Sequence, residues 1–221
     1  MVRDDPRDVA PSPGVPGAMA VRRNPGPYTL SLRTSTAAER DQPRLRTLPT
    51  AALSAAEIAA IRGLLWAAFE SDGEGFTDDD WEHALGGTHV ILDRDRDLIA
   101  HASVVARELH VDHRPLRTGY VEAVATAPGQ QGLGFGSRLM REVTAHVMAH
   151  FELGALGTGR HGFYERFGWL TWQGPSAVRR AAGTFSTPDD DGSIMVRPTP
   201  TSPELDLAAP ISCEWRPGDV W

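Results

Sequence analysis

The residues whose types and spacing are suited to chemistry lie between Gly119 and Met140, in the run G-Y-V-E-A-V-A-T-A-P-G-Q-Q-G-L-G-F-G-S-R-L-M. An apolar, strand-like stretch over 120–125 breaks at Pro128-Gly129. A glycine-rich turn, Q-x-x-G-x-G across Gln131, Gly134 and Gly136, then leads into a long helical pattern. Glycines at this spacing let backbone N–H groups crowd around a phosphate, while the following helix points its positive N-terminal end at the same charge. Strand, turn and helix are the parts needed to hold a pyrophosphate cofactor. One ionisable side chain, Glu122, sits within the strand beside that turn.

Other uses of a glycine turn fit less well. A Walker loop requires a lysine after its last glycine, and all 22 Lys+Arg residues here are arginines, which excludes a P-loop NTPase and any Schiff-base chemistry. A dinucleotide fingerprint requires G-x-G-x-x-G directly after the strand, and Gln131 stands where its first glycine belongs. The plain alternative, a glycine-rich helix start that binds nothing, stays open on this motif alone.

The elements that must position these residues occupy most of the chain. At 221 residues and 41% hydrophobic content, one good core can be buried. The single Cys213 excludes a disulfide framework and any multi-cysteine zinc site, and it is compatible with a reducing cytosol. There is no apolar run of membrane-spanning length and no signal-peptide centre, so a cytoplasmic protein is expected. A formal charge of −7 argues against nucleic acid and suits a cationic small-molecule partner.

Residues 1–43 carry P-S-P-G-V-P-G and R-R-N-P-G-P with few large apolar side chains, which predicts a disordered or weakly ordered extension, Tyr28–Leu32 being its one candidate edge strand. A single domain is expected over 44–221. It begins with a short strand, Leu45–Leu48, and a helix that the Ser54–Glu57 capping box opens and Ile58, Ile61, Leu65 and Phe69 face inward. Thr77 caps a second helix, with Asp78, Asp79 and Asp80 placed favourably against its dipole. Thr88–Leu92 and Leu98–Arg107 form a hairpin, a turn follows at His113-Arg114-Pro115, and Arg117–Thr126 is the central strand. A helix over 132–150 is expected to bury Leu133, Leu139, Val143 and Val147. Gly154–Gly157 as a strand, Arg160–Phe167 as a helix, and strands at Trp169–Trp172, Ser193–Arg197 and Ile211–Trp215 complete a mixed α/β order.

With the helix bearing F-Y-E-R-F-G-W, this order resembles the GNAT superfamily of acetyl-CoA-dependent N-acetyltransferases, and within it the aminoglycoside 2'-N-acetyltransferases. The blocks that carry the resemblance are D-W-E-H-A-L-G-G (Asp80–Gly87), I-A-H-A (Ile99–Ala102), G-Y-V-E-A-V-A (Gly119–Ala125), L-G-A-L (Leu153–Leu156), T-P-D-D-D-G (Thr187–Gly192) and W-R-P-G-D-V-W (Trp215–Trp221). It covers roughly Leu45 to Trp221. It implies a GNAT fold, a mixed and mostly antiparallel central sheet with a splayed central strand and flanking helices.

The resemblance also assigns roles. Val124 and Thr126 would pair with the pantetheine arm of acetyl-CoA, and Gln131, Gly132, Gly134, Phe135 and Gly136 would take its pyrophosphate through backbone amides. Tyr164 matches the tyrosine that protonates the departing sulfur; its alternative is a half-buried core tyrosine. Glu122 is the candidate base, a contribution typically worth about 10²–10⁴-fold, or an electrostatic contact for a cation, and both roles stay open. His83 and His89 rank below it as bases. Aminoglycosides are polycations, so carboxylates and an aromatic wall are required; Asp80, Glu122, Asp190, Asp219 and Trp221 match those positions. The tail, bracketed by Trp215 and Trp221, is expected to fold back.

Two departures stand out. Gly75 replaces an acidic residue, with Asp72 or Glu74 as possible substitutes, and Gly157 replaces a small hydroxyl residue. The resemblance implies no metal and a homodimer. Transfer to another amine, such as a cell-wall amino sugar or polyamine, is the alternative enzyme, and a degenerate domain that binds without turnover is the non-enzymatic one.

Overall fold

The computed structural model describes residues 42–72, 75–95 and 97–221, with backbone alone for 71 and 72. The expectations for Tyr28–Leu32 and for the side chains of Asp72 and Glu74 therefore lie outside the described residues.

Among the described residues, ten strands form one mixed sheet. β1 (Arg44–Pro49), β2 (Thr88–Arg94), β3 (Asp97–Val111) and β4 (Arg114–Thr126) run antiparallel in sequence order. Helices α1 (Ala55–Asp72) and α2 (Asp78–His83) connect β1 to β2. Helix α3 (Phe135–His150) makes the crossover from β4 to a parallel β5 (Leu153–Gly157). Helix α4 (His161–Glu165) and β6 (Leu170–Thr171) follow, then the hairpin of β7 (Ser176–Arg180) with β8 (Gly183–Ser186), and finally β9 (Ile194–Pro198) and β10 (Ile211–Glu214). β9 pairs with both β5 and β6, whereas β10 joins the far end of β3 to β7, with which it runs parallel.

Both faces of the sheet are covered. Leu139, Met140, Val143 and Val147 of α3 pack on Val90, Leu92, Ala102, Val104 and Val121. Ile61, Leu64, Leu65 and Ala68 of α1 pack with Trp81, Ile91 and Ala125 on the opposite face. A third core joins Tyr120 and Leu153 to Trp172, Val178, Cys213 and Trp221 around the curled C-terminal half. The Ser54 capping box forms: Glu57 N donates to Ser54 Oγ at 3.3 Å, and Ser54 N donates to the Glu57 carboxylate at 2.9 Å.

The central strand is split from its neighbour. β4 and β5 pair only from Thr118–Leu153 to Tyr120–Ala155, after which β4 continues to Thr126 away from β5. On its other side the register against β3 jumps from Glu122–Ser103 to Ala125–His101, leaving Ala123 and Val124 opposite Ala102 alone. This is a β-bulge, and Ala123 takes φ +51° to make it. A left-handed residue with a Cβ costs roughly 1–2 kcal/mol, so its surroundings must hold it there. The bulge also reverses the alternation of faces: Val121 and Val124 both join the α3 core, while Ala123 and Ala125 turn to the α1 core.

Three local expectations are corrected. Helix α3 starts at Phe135 rather than Gly132, because Gly132 (φ +76°) and Gly134 (φ +86°) make a left-handed turn ahead of it. Leu133, caught in that turn, is 63% exposed instead of buried. The β3–β4 turn lies at Asp112 (φ +47°) and His113 (φ +66°), with Arg114 and Pro115 already in β4. The β7–β8 hairpin is an addition: only Val178 is a core side chain there, so its sequence carries no strand alternation.

Candidate active site

The bulge and the opening between β4 and β5 define the site. Past the bulge, Thr126 sits under the start of α3, where a Cβ on Gly136 would stand 3.1 Å from Thr126 Oγ1 and 3.5 Å from the Phe163 ring. Gly129, Gly132 and Gly134 have positive φ, and a Cβ on any of them would meet nothing within 4 Å. The N-cap residue Gly134 offers no side chain to the first amides of α3. A turn of glycines over an uncapped helix start is an anion cradle by its donor set, which fits a pyrophosphate. Gln131 is exposed, and Gln131, Gly132, Gly134, Phe135 and Gly136 follow one another through this turn.

Tyr164, on α4, is buried in the α3-side core, edge-on to Phe163 at 5.0 Å and to Trp169 at 6.4 Å between ring centroids. Val124 packs against the same core, so strand and tyrosine share one compartment.

Glu122 lies on the opposite side of β4, with 14% of its side chain exposed. Burial pushes its carboxyl up to about 6, against the opposing pull of Arg216, whose Nη1 donates to Glu122 Oε1 at 2.5 Å. Asp219 pushes Glu122 further up. Asp190 is likewise raised, by burial first and then by Asp219. Asp219 thus stands within electrostatic reach of both Glu122 and Asp190, an acidic arrangement whose natural complement is a cation.

The C-terminal tail is packed. Trp221 is 5% exposed, its Nε1 donates to Thr187 Oγ1 at 3.0 Å, and its backbone N–H donates to Asp219 Oδ1 at 3.2 Å. Cys213 Sγ donates to Val220 O at 3.3 Å, and burial pushes this thiol up to about 11, so it stays a protonated, structural group. Arg216 Nε donates to Asp219 O at 2.8 Å. A Cβ on Gly157, at the end of β5, would stand 3.4 Å from the terminal carbon of Trp221 and 3.6 Å from the Tyr120 hydroxyl. Trp221 therefore sits at the mouth of the β4–β5 opening.

Asp80 stands somewhat apart. It closes a capping box at the start of α2: Thr77 N and Thr77 Oγ1 both donate to Asp80 Oδ2 at 2.8 Å. Its neighbour Asp79 is the residue against the tail, with its Cβ 2.9 Å from where a Gly218 Cβ would stand. His83, one turn on, donates from Nε2 to Pro217 O at 2.8 Å. Arg216, Asp79 and Thr187 were not singled out as site residues from sequence. Arg216 meets Glu122 across 94 positions, and only its place inside the W-R-P-G-D-V-W block pointed to it.

Among the described residues, no group of three or more His, Cys, Asp or Glu could hold a metal ion, and no helix is long and apolar enough to cross a membrane.

Comparison with known proteins gives the family and the fold. An Aminoglycoside 2'-N-acetyltransferase from Mycolicibacterium fortuitum is 44% identical over 164 residues, covering 72% of this chain and 83% of the relative. A GNAT family acetyltransferase from Brucella melitensis, solved in complex with acetyl-CoA, superposes with a TM-score of 0.52 at 18% identity, over 75% of this chain and 94% of that one. A probable N-acyltransferase from Enterococcus faecalis matches at a TM-score of 0.49 and 18% identity over 59% of this chain, which spans only 33% of that longer protein. The Acetyltransferase (GNAT) domain family matches residues 50–171, from the first helix through the glycine turn to β6. On that match and the close relative, this chain belongs to the GNAT acetyltransferase family.

Proposed function

We propose that this chain transfers the acetyl group of acetyl-CoA to the 2'-amine of aminoglycosides, by direct attack within a ternary complex. The observation that carries the reading is the packed tail, which sets Asp219 beside Glu122 and Asp190 and brings the Trp221 backbone to the end of β5. A polycationic sugar matches that cluster better than a neutral or anionic acceptor does. The M. fortuitum relative, with its named 2'-N-acetyltransferase activity, supports the same substrate class.

Each residue then has a defined task. The amides of Gln131, Gly132, Gly134, Phe135 and Gly136 hold the pyrophosphate of acetyl-CoA, with the α3 dipole behind them. The β4 edge at Val124 and Thr126, freed from β5, pairs with the pantetheine arm, and an N–H near Val124 polarises the thioester carbonyl. Glu122 accepts the proton that the substrate ammonium must lose before its nitrogen can attack. The new C–N bond forms as the C–S bond breaks, Tyr164 gives its hydroxyl proton to the departing sulfur, and the second proton shed by the nitrogen as it becomes an amide restores the Tyr164 hydroxyl. Glu122 faces the reacting ammonium, Asp190 and Asp219 hold the substrate's other ammonium groups, Asp80 contributes with one oxygen engaged by Thr77, and Trp221 forms a wall. The substrate ammonium must compete with Arg216 for Glu122. The same reading takes the enzyme as cytoplasmic, as the sequence leads one to expect, and as a homodimer, a point carried by the family resemblance alone.

Product mapping tests the assignment. Acetyl transferred from acetyl-CoA to a tobramycin-type acceptor should appear on the 2' nitrogen by NMR of the product; acetyl on any other nitrogen would refute the 2' assignment.

A further inference from the structure

Two histidines that the proposed chemistry does not use are fully buried beneath the bulge. His89 of β2 and His101 of β3 are both 0% exposed. They form a continuous chain of contacts. Thr50 Oγ1 lies 2.8 Å from His89 Nε2, His89 Nδ1 lies 2.9 Å from His101 Nε2, and His101 Nδ1 lies 3.0 Å from the carbonyl oxygen of Ala123.

The chemistry of the last contact fixes the direction of all the others. A carbonyl only accepts, so the proton of that bond is on His101 Nδ1. Burial holds both imidazoles uncharged, pulling His89 down to about 4 and His101 to about 3. Neutral His101 must then accept at Nε2, which places the His89 proton on Nδ1. His89 in turn accepts at Nε2 from the Thr50 hydroxyl. Every donor in the chain points toward Ala123.

Ala123 is the residue that needs such a partner. It sits in the bulge with φ +51°, outside the paired register of β3 and β4. Its position decides that Val124, rather than Ala123, turns to the α3 side and to the Tyr164 compartment. Glu122 immediately precedes it.

We infer that His101, backed by His89 and Thr50, is a positioning residue that holds the Ala123 carbonyl and so fixes the bulge that orients Glu122 and Val124. This rests on the reading of β4 as the strand that binds acetyl-CoA. Neither histidine touches the reacting groups; they act through the backbone.

Two variants of the full chain separate donor from packing. His101→Leu keeps bulk and removes the donor, whereas His101→Asn keeps an amide N–H near the place of Nδ1. Acetyl-CoA affinity measured by titration calorimetry should weaken on the order of tenfold in His101→Leu, about the effect of one lost hydrogen bond, and recover most of the way in His101→Asn. Wild-type affinity in both variants would overturn the inference, as would equal losses in both.

Nitrogen-15 NMR of the wild-type imidazoles at pH 7 supplies a readout that needs neither variant nor ligand. Both rings should be neutral with the proton on Nδ1, and a proton on Nε2 of His101 would overturn the proposal even if His101→Leu failed to fold. If the wild-type chain does not bind acetyl-CoA, the reading of β4 fails, and the NMR result alone decides the hydrogen-bond chain.

Discussion

At the scale of single residues, the account turns on how one carboxyl is kept near neutrality. Burial raises Glu122 to about 6 while Arg216 opposes the rise. A base works when deprotonated, so kcat/KM should climb as pH rises through about 6 and level off above it. Glu122→Gln should lower kcat by about 10²–10⁴-fold and abolish that limb; a variant retaining wild-type turnover would remove Glu122 as the base. Arg216→Gln removes the group that lowers the Glu122 pKa, so the limb should move to higher pH, and an unmoved limb would deny the pair its electrostatic role. Glu122 was legible because it interrupts an apolar strand. Asp80 shows the opposite case. Thr77-Asp78-Asp79-Asp80 has capping-box spacing, and that local use engages the carboxylate that the resemblance assigned to substrate. Arg216 was hidden because its meaning depends on a contact between β4 and the tail.

Among the elements, the glycine turn and the bulge are the two that a strand-and-helix reading handles worst. The periodicity of Leu139, Val143 and Val147 located α3 correctly, yet it extended the helix backward through Leu133, because glycines carry no side chain to report a turn. Replacing Gly134 (φ +86°) by alanine should destabilise the fold by about 1–2 kcal/mol in urea denaturation, the cost of a Cβ in the left-handed region. The bulge left no sequence signal at all, since Ala123 is neither glycine nor asparagine. Its supporting histidines give a separate stability signature. Their folded values, about 4 and 3, lie below the unfolded value of 6.5, so the unfolded chain takes up protons first. The contribution of the two histidines should therefore be complete above pH 6.5 and be lost as pH falls through that value toward 4, opposed by the smaller, single shift of Glu122 from 4.5 to about 6. A melting temperature unchanged between pH 7 and pH 5 would contradict it.

For the whole molecule, the sequence order conveyed the sheet's halves but not how they close. β10 runs from the far end of β3 to β7, and the last residues then return to the mouth of the β4–β5 opening. No periodicity predicts that return; the matched terminal block and its bracketing tryptophans did. Deleting Gly218–Trp221 removes a buried tryptophan and should cost about 3–5 kcal/mol of stability. Asp219→Asn is therefore the cleaner probe, with the expectation that KM for the amine rises while acetyl-CoA affinity holds. An unchanged KM would take Asp219 out of the substrate site. The central claim, acetylation at the 2' nitrogen, is tested most directly by thiol release from acetyl-CoA with kanamycin A and kanamycin B as matched acceptors. The first carries a hydroxyl at the 2' position and the second an amine. Turnover with kanamycin B alone is the predicted result; equal turnover with both, or none with either, would contradict the account.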